Sequence, residues 1–295
     1  MANSEKLHRH LPALALLSVA FIWGFTFPLG KYVIERMPLF TYLAIRFFIA
    51  SALLLPFSLR RLQRTSGREI AISTVIGLML FGAFAFQTLG LKYTTAAKAS
   101  FANGLYVVLT PILYFLIFHT PLRKTAIVAA VLATAGVAML GGDLSGLADW
   151  DFGVTLVIIS TVFTAMQIVG VGRYAVSFDT TTLTFLQTLA VAVGCLIVAL
   201  LYENWNWQID ASIWAAIISM AILATVVAYF VQCRVQRAID HTVTAVILSL
   251  ESVFGALLSW IFLGESFSLT MIIGCALLFA AMLIAQIQPQ RQADS

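Results

Sequence analysis

Ten long apolar runs restrict the fold of this chain more than any other feature of its sequence. A helix needs about 20 mostly apolar residues to cross the hydrocarbon core of a bilayer. Runs of that order recur at about 11–33, 40–59, 70–91, 99–118, 125–141, 152–172, 182–202, 213–233, 243–263 and 269–287. A transmembrane β-barrel would instead show segments of about 10 residues with strict alternation. We therefore predict an all-α integral membrane protein with ten transmembrane helices.

The scarcity of charged side chains excludes a soluble protein. Only 10% of the 295 residues are charged and 61% are hydrophobic, whereas a soluble domain carries about 25% charged residues. The same composition excludes a disordered chain, which needs low hydrophobicity and high charge. The net charge of +4 lies in small clusters at the ends of the apolar runs, so nucleic acid is not an expected partner. The expected surroundings are the lipid bilayer.

The distribution of Lys and Arg predicts the orientation, because cytoplasmic loops carry an excess of both. With the N-terminus inside, twelve of them fall on the cytoplasmic side and four on the opposite side. The twelve are Lys6, Arg9, Arg60, Arg61, Arg64, Arg68, Arg123, Lys124, Arg173, Arg234, Arg237 and Arg291, and the four are Lys31, Arg36, Lys92 and Lys98. The acidic residues lean to the opposite side, Asp143 and Asp149 among them. Both termini are predicted to be cytoplasmic.

The chain also repeats itself at an offset of about half its length. Three short matches occur in order, 141 to 143 positions apart: 30–32 with 172–174, 109–112 with 250–253, and 138–140 with 281–283. We interpret them as a tandem duplication with units at 1–145 and 146–295. Since five spans per unit is an odd number, the second unit must enter the membrane from the opposite face. Such inverted repeats are typical of carriers that work by alternating access.

Several motifs resemble a known transporter family. Residues 90–101, together with Leu105, Thr110 and Pro111, and residues 21–27 are similar to the first repeat of the ten-helix EamA-like group in the drug/metabolite transporter superfamily. Residues 250–256 and 263–265 resemble its second repeat. The nearest likeness is to bacterial exporters of aromatic and other amino acids, which also pass paraquat-like cations. The resemblance implies ten helices, two inverted repeats, a location in a bacterial inner membrane and export of small solutes.

Polar and aromatic residues inside the spans are the candidates for a central substrate cavity between the repeats. Polar side chains are costly in the membrane and usually face the bundle interior. Amides both donate and accept, which suits a zwitterion, and aromatic rings suit aromatic side chains or organic cations. The candidates are Trp23, Phe27, Phe84, Gln87, Asn103, Tyr106, Phe163, Gln167, Tyr229 and Gln232. The alternative for each amide is a helix–helix hydrogen bond, and for each ring, contact with lipid or core.

For two charged residues within spans, the sequence leaves more than one role open. Glu251 is the only carboxylate deep in a span, where it serves either as a protonatable coupling group or as an ion-paired structural residue. Arg46 lies nearer a span end. It is expected to extend to the membrane surface or pair with Glu35, with a bond to a substrate carboxylate as the alternative.

Three residues are candidate hinges. Pro111 lacks a backbone N–H and is expected to kink the fourth span. Pro28, which lies between Gly24 and Gly30, is expected to loosen the first span. A packing kink without a role in transport is the alternative for each.

The leading functional hypothesis is a secondary carrier that exports neutral amino acids and related metabolites, and the alternative is efflux of drugs or quaternary cations such as paraquat. An intramembrane enzyme would need a catalytic constellation at mid-depth, and a channel would need charged rings or a filter loop; neither pattern is present. Without a Walker A motif, ATP is not the expected energy source. Cys195, Cys233 and Cys275 lack metal or disulfide spacing, so no metal or cofactor is expected. The oligomeric state stays open, with a monomer as the simplest case.

Overall fold

The protein forms ten helical stretches, seen in a computed structural model that describes residues 2–119, 124–141, 151–174, 177–204, 209–235 and 241–285. The unbroken helices are α1 (Ala2–Ile34), α2 (Leu39–Leu62), α3 (Gly67–Tyr93), α5 (Lys124–Gly141), α6 (Phe152–Tyr174), α7 (Thr180–Tyr202), α9 (His241–Leu263) and α10 (Leu269–Ala285). Helix α4 has two segments, Ala96–Asn103 and Tyr106–Phe118. Helix α8 consists of Ala211–Ser219, a π-helical segment Met220–Val227, and Ala228–Val235.

Some predictions concern side chains or positions outside the described residues. They are Lys6, Arg9, Arg123, Asp143, Asp149, Cys233, Arg234, Arg237, Arg291 and the unit boundary at 145/146.

The predicted all-helical membrane fold is confirmed. Within the described residues there is no strand, and seven helices are long and apolar enough to cross a membrane. Three shorter apolar helices, Lys124–Leu140, Ile247–Leu263 and Leu269–Ile284, match the fifth, ninth and tenth predicted spans. Each of the ten predicted runs therefore corresponds to one helical stretch.

Equivalent helices of the two halves run antiparallel to each other. Ser51 in the middle of α2 donates to Thr188 of α7 over 3.0 Å. Earlier in α2, Thr41 donates over 2.8 Å to Glu203, which follows the end of α7. Helices α4 and α9 also pack against each other in antiparallel orientation, as do α5 and α10. The second set of five helices is therefore inverted relative to the first, and most of the core lies between the two sets.

Two glutamates close one end of the bundle, which we call the capped end: α1, α3, α7 and α9 finish there, and α2, α4 and α6 begin there. Glu203 accepts two backbone N–H bonds at the start of α2, each 2.7 Å long. Glu265 accepts two at the start of α4, of 2.7 and 2.9 Å. Gly264 adopts a left-handed conformation with φ of 65°, which ends α9 and places Glu265 in the next turn. Each carboxylate thus satisfies the free N–H groups of a helix from the other half.

Further polar contacts join helices at the capped end. The Lys31 ammonium donates to three backbone carbonyls at the end of α3, at 2.8 to 3.3 Å. Asp151, just before α6, pairs with Lys98 of α4 at 3.2 Å and accepts a 2.6 Å hydrogen bond from Thr94. These bonds tie α1, α3, α4 and α6 together.

The opposite end, which we call the basic end, carries Arg60, Arg61, Arg64, Arg68, Lys124 and Arg173 among its described residues. Here Arg61, near the end of α2, forms a salt bridge with Asp179, which precedes α7. A cavity of about 240 Å³ lies beside this pair, between α2, α3 and the start of α7.

Candidate functional site

A buried carboxylate and amide meet where α4 packs against α9. Glu251 and Asn103 are 8% and 5% exposed, and the Asn103 Nδ2 donates to Glu251 Oε1 over 3.4 Å. The α4 interruption at residues 104–105 follows Asn103 directly. A Cβ at Gly104, within this interruption, would overlap Met282 and Ser252, so the close approach of α9 and α10 requires glycine here. The polar pair therefore sits at a break in α4, at the interface between the repeats.

A chain of three aromatic side chains from α1, α4 and α8 leads to this carboxylate. Tyr106 begins the second segment of α4 and interacts electrostatically with both Glu251 and Tyr229. The Trp23 and Tyr229 rings have centroids 5.5 Å apart, and Trp23 Nε1 donates to the Ala224 carbonyl over 2.9 Å. The structure thus brings together five predicted residues, which we call the Glu251 cluster: Trp23, Asn103, Tyr106, Tyr229 and Glu251. A carboxylate among aromatic rings is suited to a positively charged group.

Arg46 lies inside the protein, so the expectation that it reaches the surface or pairs with Glu35 is wrong. Its side chain is 4% exposed, between α2, α3 and α8. Its Nε donates to Thr225 Oγ1 and its guanidinium to Tyr42 Oη, each over 3.2 Å. Glu35 instead lies 3.8 Å from Arg36, and both are largely exposed.

Phe84 joins Arg46 rather than the Glu251 cluster. The Arg46 guanidinium carbon lies 5.4 Å from the centre of the Phe84 ring and 5.5 Å from that of Phe47. The two rings pack edge to face, with centroids 4.7 Å apart. We call Arg46, Tyr42, Phe47, Phe84 and Thr225 the Arg46 cluster.

The remaining cavity candidates do not take part in the contacts that define the Glu251 cluster. Gln167 of α6 donates to Gln187 of α7 over 2.8 Å, so its amide joins two helices. Phe163 stacks on Phe86, with centroids 5.6 Å apart, and also lies against Gly82. Phe27 is 2% exposed in the main core. Gln87 and Gln232 are half-buried in α3 and α8.

The candidate hinge residues lie within continuous helices. Pro28 and Gly30 are inside α1, and Pro111 is inside the second segment of α4. The break in α4 comes at 104–105, one to two turns before Pro111. A hinge role for these three residues stays a prediction.

Sequence reasoning missed Tyr42 and Thr225 as partners of Arg46. Thr225 belongs to the π-helical segment of α8, and its hydroxyl donates to the Met220 carbonyl five residues earlier. The sequence carries no signal for that register. It also missed Glu203 and Glu265 as helix caps, although both are acidic residues next to span ends.

The comparisons with known proteins agree with this architecture. The model of the EamA-like transporter family matches the chain twice, at residues 10–142 and 151–286. An uncharacterized transporter of Archaeoglobus fulgidus is 31% identical over 97% of this chain and 89% of its own length. The uncharacterized transporter YyaM of Bacillus subtilis is 26% identical over 92% of each chain. A crystal structure that is 21% identical, with a TM-score of 0.67 over 93% of this chain and 96% of the other, shares the fold.

The double family match covers nearly all of the chain and coincides with its two sets of five helices. This chain is a multi-pass membrane protein that belongs to the EamA-like transporter family.

Proposed function

We propose that the protein is a secondary carrier that exports neutral amino acids, aromatic ones among them, together with related small metabolites. Transport would proceed by alternating access, as the two inverted repeats move against each other around a central cavity. The Glu251 cluster carries this proposal, because it joins α1, α4, α8 and α9 across the repeats. It offers a carboxylate and an amide to an amino group, and aromatic rings to an apolar side chain.

The setting of the carrier is part of the proposal. The excess of Lys and Arg at the basic end supports a cytoplasmic location for that end and for both termini. We place the protein in a bacterial inner membrane, as a monomer and without a cofactor. The hinges would lie at Pro28, Gly30 and Pro111.

Efflux of quaternary cations such as paraquat is the second candidate. The observation in its favour is the same carboxylate among aromatic rings, since a cation is attracted both to Glu251 and to the faces of Trp23 and Tyr229. The two candidates differ in whether the substrate needs a carboxylate of its own.

Exchange in proteoliposomes tests the proposal. We expect vesicles that contain the purified protein and unlabelled phenylalanine to take up labelled phenylalanine, with saturation, while protein-free vesicles do not. Runs with other neutral amino acids and with labelled paraquat compare the two candidates. Failure to exchange any neutral amino acid would reject amino-acid transport, and exchange of paraquat alone would favour the second candidate.

A pair of matched substitutions in α4 locates the site. Tyr106→Phe removes a hydroxyl that interacts electrostatically with Glu251, and it should raise the KM for phenylalanine about tenfold, the effect of losing one polar contact of about 1.4 kcal/mol. Tyr114→Phe makes the same change on the same helix at a side chain that is 42% exposed, and should leave the KM unchanged. Equal kinetics for both variants would remove Tyr106 from the site.

A further inference from the structure

Arg46 carries a charge that no described carboxylate neutralises. Its guanidinium has five N–H donors and stays protonated in proteins. The described bonds, to Thr225 and Tyr42, end on neutral hydroxyl oxygens. Both hydroxyls direct their own hydrogens to Met220, to its carbonyl and its sulfur respectively. The partners of Arg46 therefore orient the guanidinium without supplying a negative charge.

The aromatic rings offset only part of the cost of this burial. Phe47 and Phe84 lie at distances where a ring attracts a cation. That attraction is small beside the cost of removing an ion from water. An intramembrane charge without a counter-ion is a functional candidate by default, with an anion as the expected partner.

A second observation at this position is the π-helical segment of α8, Met220–Val227. Such segments are rare and are frequently found at functional sites. Two consecutive residues of it face different helices of the first repeat. The Ala224 carbonyl accepts from Trp23 of α1, and the Thr225 hydroxyl accepts from Arg46 of α2. The segment thus links the Arg46 cluster to the Glu251 cluster.

The two buried charges have opposite signs. In the part of the chain that the structure describes, Arg46 and Glu251 are the charged residues below 9% exposure, and they do not form a salt bridge with each other. A zwitterion carries the complementary pair of charges, and a guanidinium can bind a carboxylate through two parallel hydrogen bonds.

We propose that Arg46 binds the carboxylate of the transported solute and makes the carrier select amino acids over organic cations. This inference rests on the proposed amino-acid transport. Tyr42 and Thr225 hold the guanidinium in position, and Phe47 and Phe84 cover its faces.

A ligand series on the wild-type protein tests the inference without any variant. Unlabelled L-phenylalanine, phenylalaninamide and 3-phenylpropionate compete against labelled phenylalanine in the exchange assay. The amide keeps the amino group and the ring but lacks the carboxylate, so we expect it to compete at least tenfold less well than phenylalanine. Competition by the amide as strong as that of phenylalanine would overturn the role of Arg46. Absence of any phenylalanine exchange would instead reject the proposed function and, with it, this inference.

Substitution at Arg46 then assigns the selectivity to this side chain. In the Arg46→Gln variant, unlabelled phenylalanine should compete at least tenfold less well than in the wild type, and within about threefold of phenylalaninamide. The Arg46→Lys variant should keep part of the preference for phenylalanine over the amide. Arg36→Gln removes an exposed arginine at the end of α1 and is the matched control. A preference for phenylalanine that survives in folded Arg46→Gln would contradict the inference, and if that variant does not fold, the wild-type ligand series decides.

Discussion

At the scale of single residues, Glu251 forms no ion pair with a described residue, although an ion-paired structural role is one of the two interpretations of its position in the sequence. The described partner of its carboxylate is the neutral amide of Asn103, and no described Lys or Arg lies within salt-bridge distance of it. A carboxylate in this setting can gain and lose a proton without breaking an ion pair. This favours the coupling role.

The variant Glu251→Gln tests that role. The amide has the same shape and retains a hydrogen bond with Asn103, but it cannot bind and release a proton. We expect an imposed proton gradient to drive phenylalanine transport in the wild type and to have no effect on the variant, and we expect the variant's exchange at equilibrium to become independent of pH. Glu35→Gln, at an exposed carboxylate, should behave as the wild type. A variant with an unchanged pH profile would rule out proton coupling through Glu251.

The sequence predicted the members of the Glu251 cluster better than the surroundings of Arg46. Glu251, Asn103 and Tyr106 stand out because polar groups are costly in a bilayer, so the few that remain inside are informative. Arg46 was wrongly expected near Glu35 because only neighbours along the chain are visible in a sequence. Of its two actual hydrogen-bond partners, Thr225 is 179 positions away, whereas Tyr42 lies one turn earlier on the same helix.

At the scale of helices, close glycine contacts bring α1 and α9 together. A Cβ added at Gly24 would lie 2.7 Å from Phe254 Cβ and 2.9 Å from the Glu251 carbonyl oxygen. These distances leave no room for a methyl group. Because Gly24 is one residue from Trp23 and packs on Glu251 itself, the spacing of these helices positions the Glu251 cluster.

Gly24→Ala should therefore lower the thermal unfolding midpoint in detergent, since overpacking costs about 1–3 kcal/mol. Gly172→Ala is the control, because it places the same methyl group in a helix where nothing lies within 4 Å. That change should be neutral or stabilising by up to about 1 kcal/mol. Intrinsic tryptophan fluorescence during heating measures both. Equal midpoints for the two variants would contradict the packing argument.

The ten helices could be predicted because the thickness of the bilayer sets the length of every apolar run. The irregularities inside them could not. Helix α4 breaks at residues 104–105 where α9 and α10 approach Gly104, and α8 adopts its π-helical segment where Trp23 and Arg46 contact it. Both features contact neighbours that are distant in sequence, and both lie at the candidate site.

At the scale of the whole molecule, the charges of the basic end predict the orientation in the membrane. We expect a C-terminal green fluorescent protein fusion to fluoresce in bacterial cells and a C-terminal alkaline phosphatase fusion to be inactive, since phosphatase folds only outside the cytoplasm. Phosphatase fused after Met37, at the capped end, should be active. The reverse pattern would place the basic end outside the cytoplasm and would contradict the predicted orientation.

The carboxylates of Glu203 and Glu265 make the two ends of an otherwise inverted pair unequal. If the two inverted halves were identical, the state closed at the capped end and the state closed at the basic end would be equally populated. A side-chain cap contributes about 1 kcal/mol, so two of them favour closure at the capped end by about 2 kcal/mol, or roughly thirtyfold in occupancy. The salt bridge described at the basic end, between Arg61 and Asp179, is about half exposed and contributes little to stability. In the absence of solute, the basic end is therefore the easier one to open. In the orientation that we propose, this is the cytoplasmic side, from which an exporter takes up its solute.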